Sequence, residues 1–275
     1  MTQTSPKKGR RFAAFLSSFI ALWILFRPAP ALPEEPITLC VIDAGCSRED
    51  VLTVDLTDSD PSLPADTAHG DAVCALLRAY APEARIVMLR CFASALDTPG
   101  KLLPAAVKQT TELGADILCM PWATANADPA LRSALNEASA AGITLVAPVG
   151  NVGVLGIPTE KMYPASWPNV IAVGGVDPGP EGVPVSNILY RQSDRMEICA
   201  LATGPEGDGR DQSGTSFAAA RVAGICASLL SETPTLTPAD LLEHLITSAT
   251  DLGPDGFDPI YGWGFVQSGL QRVGT

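Results

Sequence analysis

Histidine is nearly missing from this chain: among 275 residues only His69 and His244 carry an imidazole. Seven cysteines, at positions 40, 46, 74, 91, 119, 199 and 226, contain no Cys-x-x-Cys pair, so the ligands and spacing of a zinc site are lacking. Cations are scarce as well. Five of the 18 lysines and arginines (Lys7, Lys8, Arg10, Arg11, Arg27) precede the first acidic residue, Glu34; the 13 that remain face 30 Asp and Glu, a balance of −17 beyond Arg27. A field of that sign repels phosphate backbones and excludes nucleic acid as a partner. The uncharged run from Phe12 to Phe26 stops at 15 residues, short of the about 20 that a membrane span needs. No internal repeat is present, and Gly174-Gly175, with no helix after it, is a turn and not a phosphate cradle. Asp55, Asp58 and Asp60 have a spacing that fits no calcium loop. No cofactor is called for; a structural calcium remains open, with no site for it identifiable.

The basic cluster before Phe12, the apolar run, and Ala29-Pro30-Ala31 after it together form an export address. Residues 1–31 are therefore expected to be a signal peptide or an N-terminal membrane anchor, with 32–36 as a proline-rich linker. The protein is expected to be exported (secreted, periplasmic or anchored facing outward), touching the membrane only through that segment. With 47% apolar residues, residues 37–275 suffice for one α/β domain, expected as a monomer. Most cysteines sit in apolar runs and read as buried thiols; in an oxidising compartment one or two disulfides remain open.

Beyond the linker the pattern alternates. Short β-branched runs at 37–42, 85–90, 116–120, 143–149, 170–176 and 196–201 read as buried strands. Helical spacing intervenes after His69, at 102–113 and at 129–141, and returns after Ser213 and Thr237. Strand–helix repetition of this kind gives a mainly parallel sheet covered by helices. The stretch Asp50 to Asp66 reads as a polar connection.

In such sheets the carboxyl ends of the strands collect functional groups. Asp43 ends the first strand, His69 opens the first helix, and Asn151 follows the strand that begins at Ile143. Ser216 lies in the first turn of a helix, where unpaired N–H groups favour a developing negative charge; as an alternative, Thr215 or Ser216 is simply the helix cap. His244 is the one rival base.

The order Asp, His, Ser is that of subtilisin. The motifs Val41-Ile42-Asp43-Ala44-Gly45, His69-Gly70, Gly150-Asn151, Tyr163-Pro164-Ala165-Ser166-Trp167-Pro168 and Gly214-Thr215-Ser216-Phe217-Ala218-Ala219 carry a resemblance to the subtilisin-like serine peptidases, or subtilases, from about Ile37 to the end. That resemblance implies a three-layer α/β/α sandwich with a mostly parallel sheet. It also implies an endopeptidase acting on peptide or protein substrates, with Ser216 as nucleophile, His69 as base, Asp43 as its orienter and Asn151 in the oxyanion hole.

By the same resemblance, Pro121-Trp122-Ala123 is the segment that pairs with substrate, and Ala147, Pro148, Val149 and Met162 line the pocket for the residue before the cut. The chain departs from the family at Ala44, which lacks a hydroxyl beside Asp43, and at Pro121, which has no N–H to give. Asp71 adds a charge expected to raise the pKa of His69, and Ala220-Arg221 is expected to relax the helix start. These departures motivate the alternative of a catalytically impaired homologue that binds peptides or a protein without turnover.

Overall fold

Strand β1, Thr38–Asp43, is buried along its whole length, because Thr-Leu-Cys-Val-Ile-Asp offers apolar, largely β-branched side chains to both faces of a sheet. It belongs to a computed structural model that describes residues 35–57, 66–92, 102–152, 161–187, 189–205 and 212–267. These fall within one compact unit, Glu35–Thr275. The export segment, 32–34 of the linker, and Asp58 and Asp60 lie outside the described residues. Among those described, no helix is long and apolar enough to cross a membrane.

The further strands are β2 (Leu52–Asp55), β3 (Arg85–Arg90), β4 (Ile117–Cys119), β5 (Thr144–Pro148), β6 (Ile171–Val176) and β7 (Ile198–Leu201). The helices are α1 (Ala68–Tyr80), α2 (Leu103–Glu112), α3 (Pro129–Ala140), α4 (Thr215–Glu232) and α5 (Pro238–Ser248). All seven strands pair in parallel in the order β2-β3-β1-β4-β5-β6-β7. Every carboxyl end therefore reaches the same edge.

Alternation along each strand divides the core in two. Leu39, Val41, Ile86, Met88, Ile117, Val146 and Val173 face α1 and α4, whereas Cys40, Ile42, Val87, Leu89, Leu118 and Leu145 face α2 and α3. The outcome is the expected three-layer α/β/α arrangement. Each fully buried leucine or isoleucine contributes about 2 kcal/mol by leaving water.

Strand β2 falls inside the stretch read as a polar connection. It is a short edge strand with exposed side chains, so burial left no apolar run to betray it. Backbone pairing to β3 and an Arg90–Asp55 ion pair at 2.7 Å hold it. All seven cysteines are free thiols, six of them buried; burial pushes Cys40, Cys91, Cys199 and Cys226 up to about 12, which keeps these thiols protonated.

Candidate active site

Asp43 is the last residue of β1 and only 3% exposed. A carboxylate so buried needs partners. Its Oδ1 accepts the Ala44 N–H at 2.7 Å, and its Oδ2 lies 2.7 Å from Nδ1 of His69. The loss of a side-chain hydroxyl at Ala44 is thus met in part by the backbone.

His69 sits in the first turn of α1, and the next residue explains how it gets so close. A Cβ placed on Gly70 would stand 1.9 Å from the Gly45 carbonyl oxygen, so only glycine lets the helix start press against the loop that leaves β1. With Nδ1 donating to Asp43, Nε2 is left as the basic nitrogen. Burial of the ring pulls its pKa down, but the hydrogen bond and charge of Asp43, with the charge of Asp66, outweigh burial and hold it above the ordinary histidine value.

Asp71 does not contribute to that shift. Its carboxylate turns to the loop after β1, accepting Ser47 N–H at 2.6 Å and the hydroxyls of Ser47 and Thr67 at 2.8 Å each. Burial would raise its pKa, but these bonds hold it below the usual aspartate value. Asp71 therefore acts as a strap between loop and helix.

The edge of the sheet opens into a cavity of about 590 Å³. Its wall includes Asp43, His69, Pro121, Trp122, Ala123, Pro148, Asn151, Met162 and Ser216. Ala147 and Val149 are absent from that wall; both are buried in the core half covered by α2 and α3, as alternation about Pro148 requires. The sequence reading missed Phe92, Gln212, Ser213 and Phe217, which also line it. Phe217 sets its ring 5.6 Å from the His69 imidazole, at a tilt of 40°. Met120 O takes the Trp122 N–H at 2.7 Å, so Pro121 and Trp122 present no free amide to a substrate strand. His244 lies exposed on α5, far from being a competitor.

Three hydroxyls of one segment line the cavity, and two are committed. Ser213 Oγ lies 2.5 Å from the Tyr190 phenol, and Thr215 Oγ1 donates to Asn151 Oδ1 at 3.0 Å. Among the described residues, Ser216 Oγ has no hydrogen-bond partner, and it makes no direct bond to His69; in unliganded sites such bonds are commonly long and tighten on substrate.

Asn151 is oriented unambiguously. Its Oδ1 also accepts the Thr215 N–H at 3.0 Å, and since an N–H only donates, the amide oxygen faces the helix and Nδ2 faces away as a donor. Gly214 keeps that side clear, because a Cβ there would come within 3.2 Å of Nδ2. Phe217 N–H is taken by Gly214 O at 3.0 Å. Among the described residues the Ser216 N–H has no partner, so it and Nδ2 are two free donors beside one free hydroxyl.

Arg221, 8% exposed in α4, does not loosen the helix start. Its guanidinium donates to the carbonyls of Leu201 at 2.9 Å and Thr203 at 2.6 Å, tying the chain after β7 to the helix. Thr203 in turn bridges to Ser213 through the backbone.

Comparison with known proteins agrees with this architecture. Subtilisin DY of Bacillus licheniformis is 30% identical over 191 residues, 68% of this chain and 67% of that protein. Subtilisin NAT of Bacillus subtilis subsp. natto is 32% identical over 153 residues, 55% of this chain but 39% of its own length, so the chain spans well under half of that relative. The solved structure of the prenylagaramide maturation protease PagA superposes with a TM-score of 0.68 at 26% identity, covering 85% of this chain and 92% of that one. The family model described as the subtilase family matches residues 36–264. That match takes in β1 through the turn after α5 and all four residues gathered at the cavity, and on it the chain belongs to the subtilase family.

Proposed function

We propose that this chain is a serine endopeptidase that hydrolyses peptide bonds through Asp43, His69 and Ser216. The observation that carries the reading is the 2.7 Å Asp43–His69 pair opening onto the same cavity as Ser216 and the Asn151 amide. As Ser216 Oγ bonds to the substrate carbonyl carbon, its proton passes to His69 Nε2, and Asp43 stabilises the imidazolium that results. The oxyanion meets the Ser216 N–H and Asn151 Nδ2, each such donor being worth about 3 kcal/mol of barrier. His69 then protonates the leaving amine. Water attacks the acyl-enzyme with its proton taken by His69, which returns it to Ser216 Oγ as the acid product departs.

Pro148, Met162 and Trp122 give the cavity wall an apolar part, which favours a small or apolar residue before the cut. The basic and apolar N-terminal pattern supports export.

A fluorophosphonate probe tests the nucleophile: the folded protein is labelled and Ser216→Ala is not. Cleavage of an N-acetylated, C-amidated peptide tests the endopeptidase, because blocked ends deny an exopeptidase its handle. Folded protein that takes no label and leaves blocked peptides intact would instead be a peptide-binding homologue. A cleavage profile dominated by Lys or Arg before the cut would overturn the pocket assignment.

A further inference from the structure

The two free donors come from different parts of the chain, Asn151 Nδ2 from the loop after β5 and the Ser216 N–H, with the nucleophile, from the start of α4, and one residue spans them. Tyr190 pairs through its backbone with the Asn151 segment: Val152 N–H donates to Leu189 O at 2.7 Å and Arg191 N–H to Gly150 O at 3.1 Å, around an antiparallel Asn151–Tyr190 bridge. Its side chain reaches the other segment, with Oη 2.5 Å from Ser213 Oγ, three residues before Ser216. The phenol is also anchored to the sheet, because Oη lies 2.5 Å from Oδ1 of Asp177, the residue after β6. Asn187 Nδ2 donates to the other carboxylate oxygen at 2.6 Å.

Proton counting fixes the direction of this chain. The single phenolic hydrogen goes to the Asp177 carboxylate, so the Ser213 hydroxyl donates to Tyr190 Oη. Tyr190 is 5% exposed. Burial and the Asp177 carboxylate push its pKa up to about 12 despite the opposing Ser213 bond, so the phenol keeps that hydrogen across the working range of pH.

We propose that Tyr190 is a positioning residue for the oxyanion site, its backbone carrying the Asn151 amide and its phenol the Ser213–Ser216 segment, so that it sets the separation between amide and nucleophile. This rests on the peptidase reading. Asn151 and Thr215 already touch through the amide oxygen, and Gly214 N–H is held by Ala202 O at 2.8 Å; the phenol adds the link that holds the two segments at one spacing. The Asp177–Tyr190–Ser213 chain fixes them to β6.

Tyr190→Phe keeps the ring and the backbone and removes both hydrogen bonds. On a peptide anilide, kcat is expected to fall about 10- to 100-fold, less than the 10²–10³ of losing an oxyanion donor outright, with KM within about twofold. The acid limb of the pH profile should stay in place, since the Asp43–His69 pair shares no group with this chain. Ser213→Ala breaks the same link from its other end and should reproduce the loss, which keeps the test open if Tyr190→Phe folds poorly. In an Asn151→Ala background neither substitution should cost a further factor above about two, because there is no longer an amide to position.

Two results would overturn the inference: wild-type kcat in both single variants, or losses that multiply undiminished onto Asn151→Ala. Wild-type protein that takes no fluorophosphonate label would remove the peptidase reading itself, a separate outcome.

Discussion

Arg221→Met probes a buried cation inside α4. The methionine stem fills much of the volume of the arginine stem, so the main loss is the guanidinium nitrogen Nη1 that now serves the carbonyls of both Leu201 and Thr203. An acceptor left buried and unmet costs about 1–3 kcal/mol, giving about 4 kcal/mol for two. Removing a desolvated charge returns part of this, leaving about 3 kcal/mol net. For a domain of this size, each kcal/mol moves Tm by about 2–4 °C, so a fall of about 6–12 °C is expected.

Thermal unfolding by circular dichroism measures it, in a Ser216→Ala background so that self-cleavage does not blur the transition. Arg221→Lys should recover only part of the loss, since an ammonium carries the charge but has no second nitrogen for the Thr203 hydroxyl. A Met variant within about 2 °C of its parent, or a Lys variant fully restored, would refute the reasoning.

Asp43→Asn is expected to lower kcat by about 10⁴, or about 5.5 kcal/mol of barrier, by stabilising the wrong imidazole tautomer. It should also move the acid limb of kcat/KM downward, because what holds the His69 pKa above its ordinary value is chiefly Asp43, and burial is left to depress it. The linked stability has a definite sign: the raised pKa contributes fully below the unfolded value near ~6.5 and is lost as pH rises through the folded value. In pH–rate profiles, Asp66→Asn should shift the same limb downward while Asp71→Asn leaves it in place. Asp71→Asn should instead cost about 1–2 kcal/mol in urea unfolding; the Asp71 contribution is present above ~3.9 and lost as pH falls through its lower folded pKa. Gly70→Ala must push α1 off the Gly45 carbonyl, and a shift of about 1 Å between His69 and Asp43 should cut kcat about 100-fold; a variant with wild-type rate would show that the contact relaxes elsewhere.

The layered fold was legible because strands buried on both faces leave unbroken apolar runs, whereas β2, exposed at an edge, leaves none. The four residues at the cavity were legible because Asp43 ends a strand, His69 and Asn151 each adjoin a glycine, and Ser216 opens a helix just after Gly214. Asp71 misled for a geometric reason: two residues along a helix lie about 200° apart, so its carboxylate points away from His69. Asp66 lies outside the helix, and no helical rule places its charge. The Asp177–Tyr190–Ser213 chain has no local signature, since it joins hydroxyls and a carboxylate from three loops that meet only after the sheet has formed.

The position of α4 in the chain has a consequence for biosynthesis. This helix packs on β4, β5, β6 and β7 and against α1, yet it is encoded after all of them. A polypeptide made from its amino end displays the apolar face of β4 to β7 before the covering helix exists, a long-range closure that is slow and prone to aggregation. The helix that covers that face also brings Ser216 to His69. Shielding of the nascent core and arrival of Ser216 at the cavity are therefore a single step, and a translation product that ends before α4 has neither.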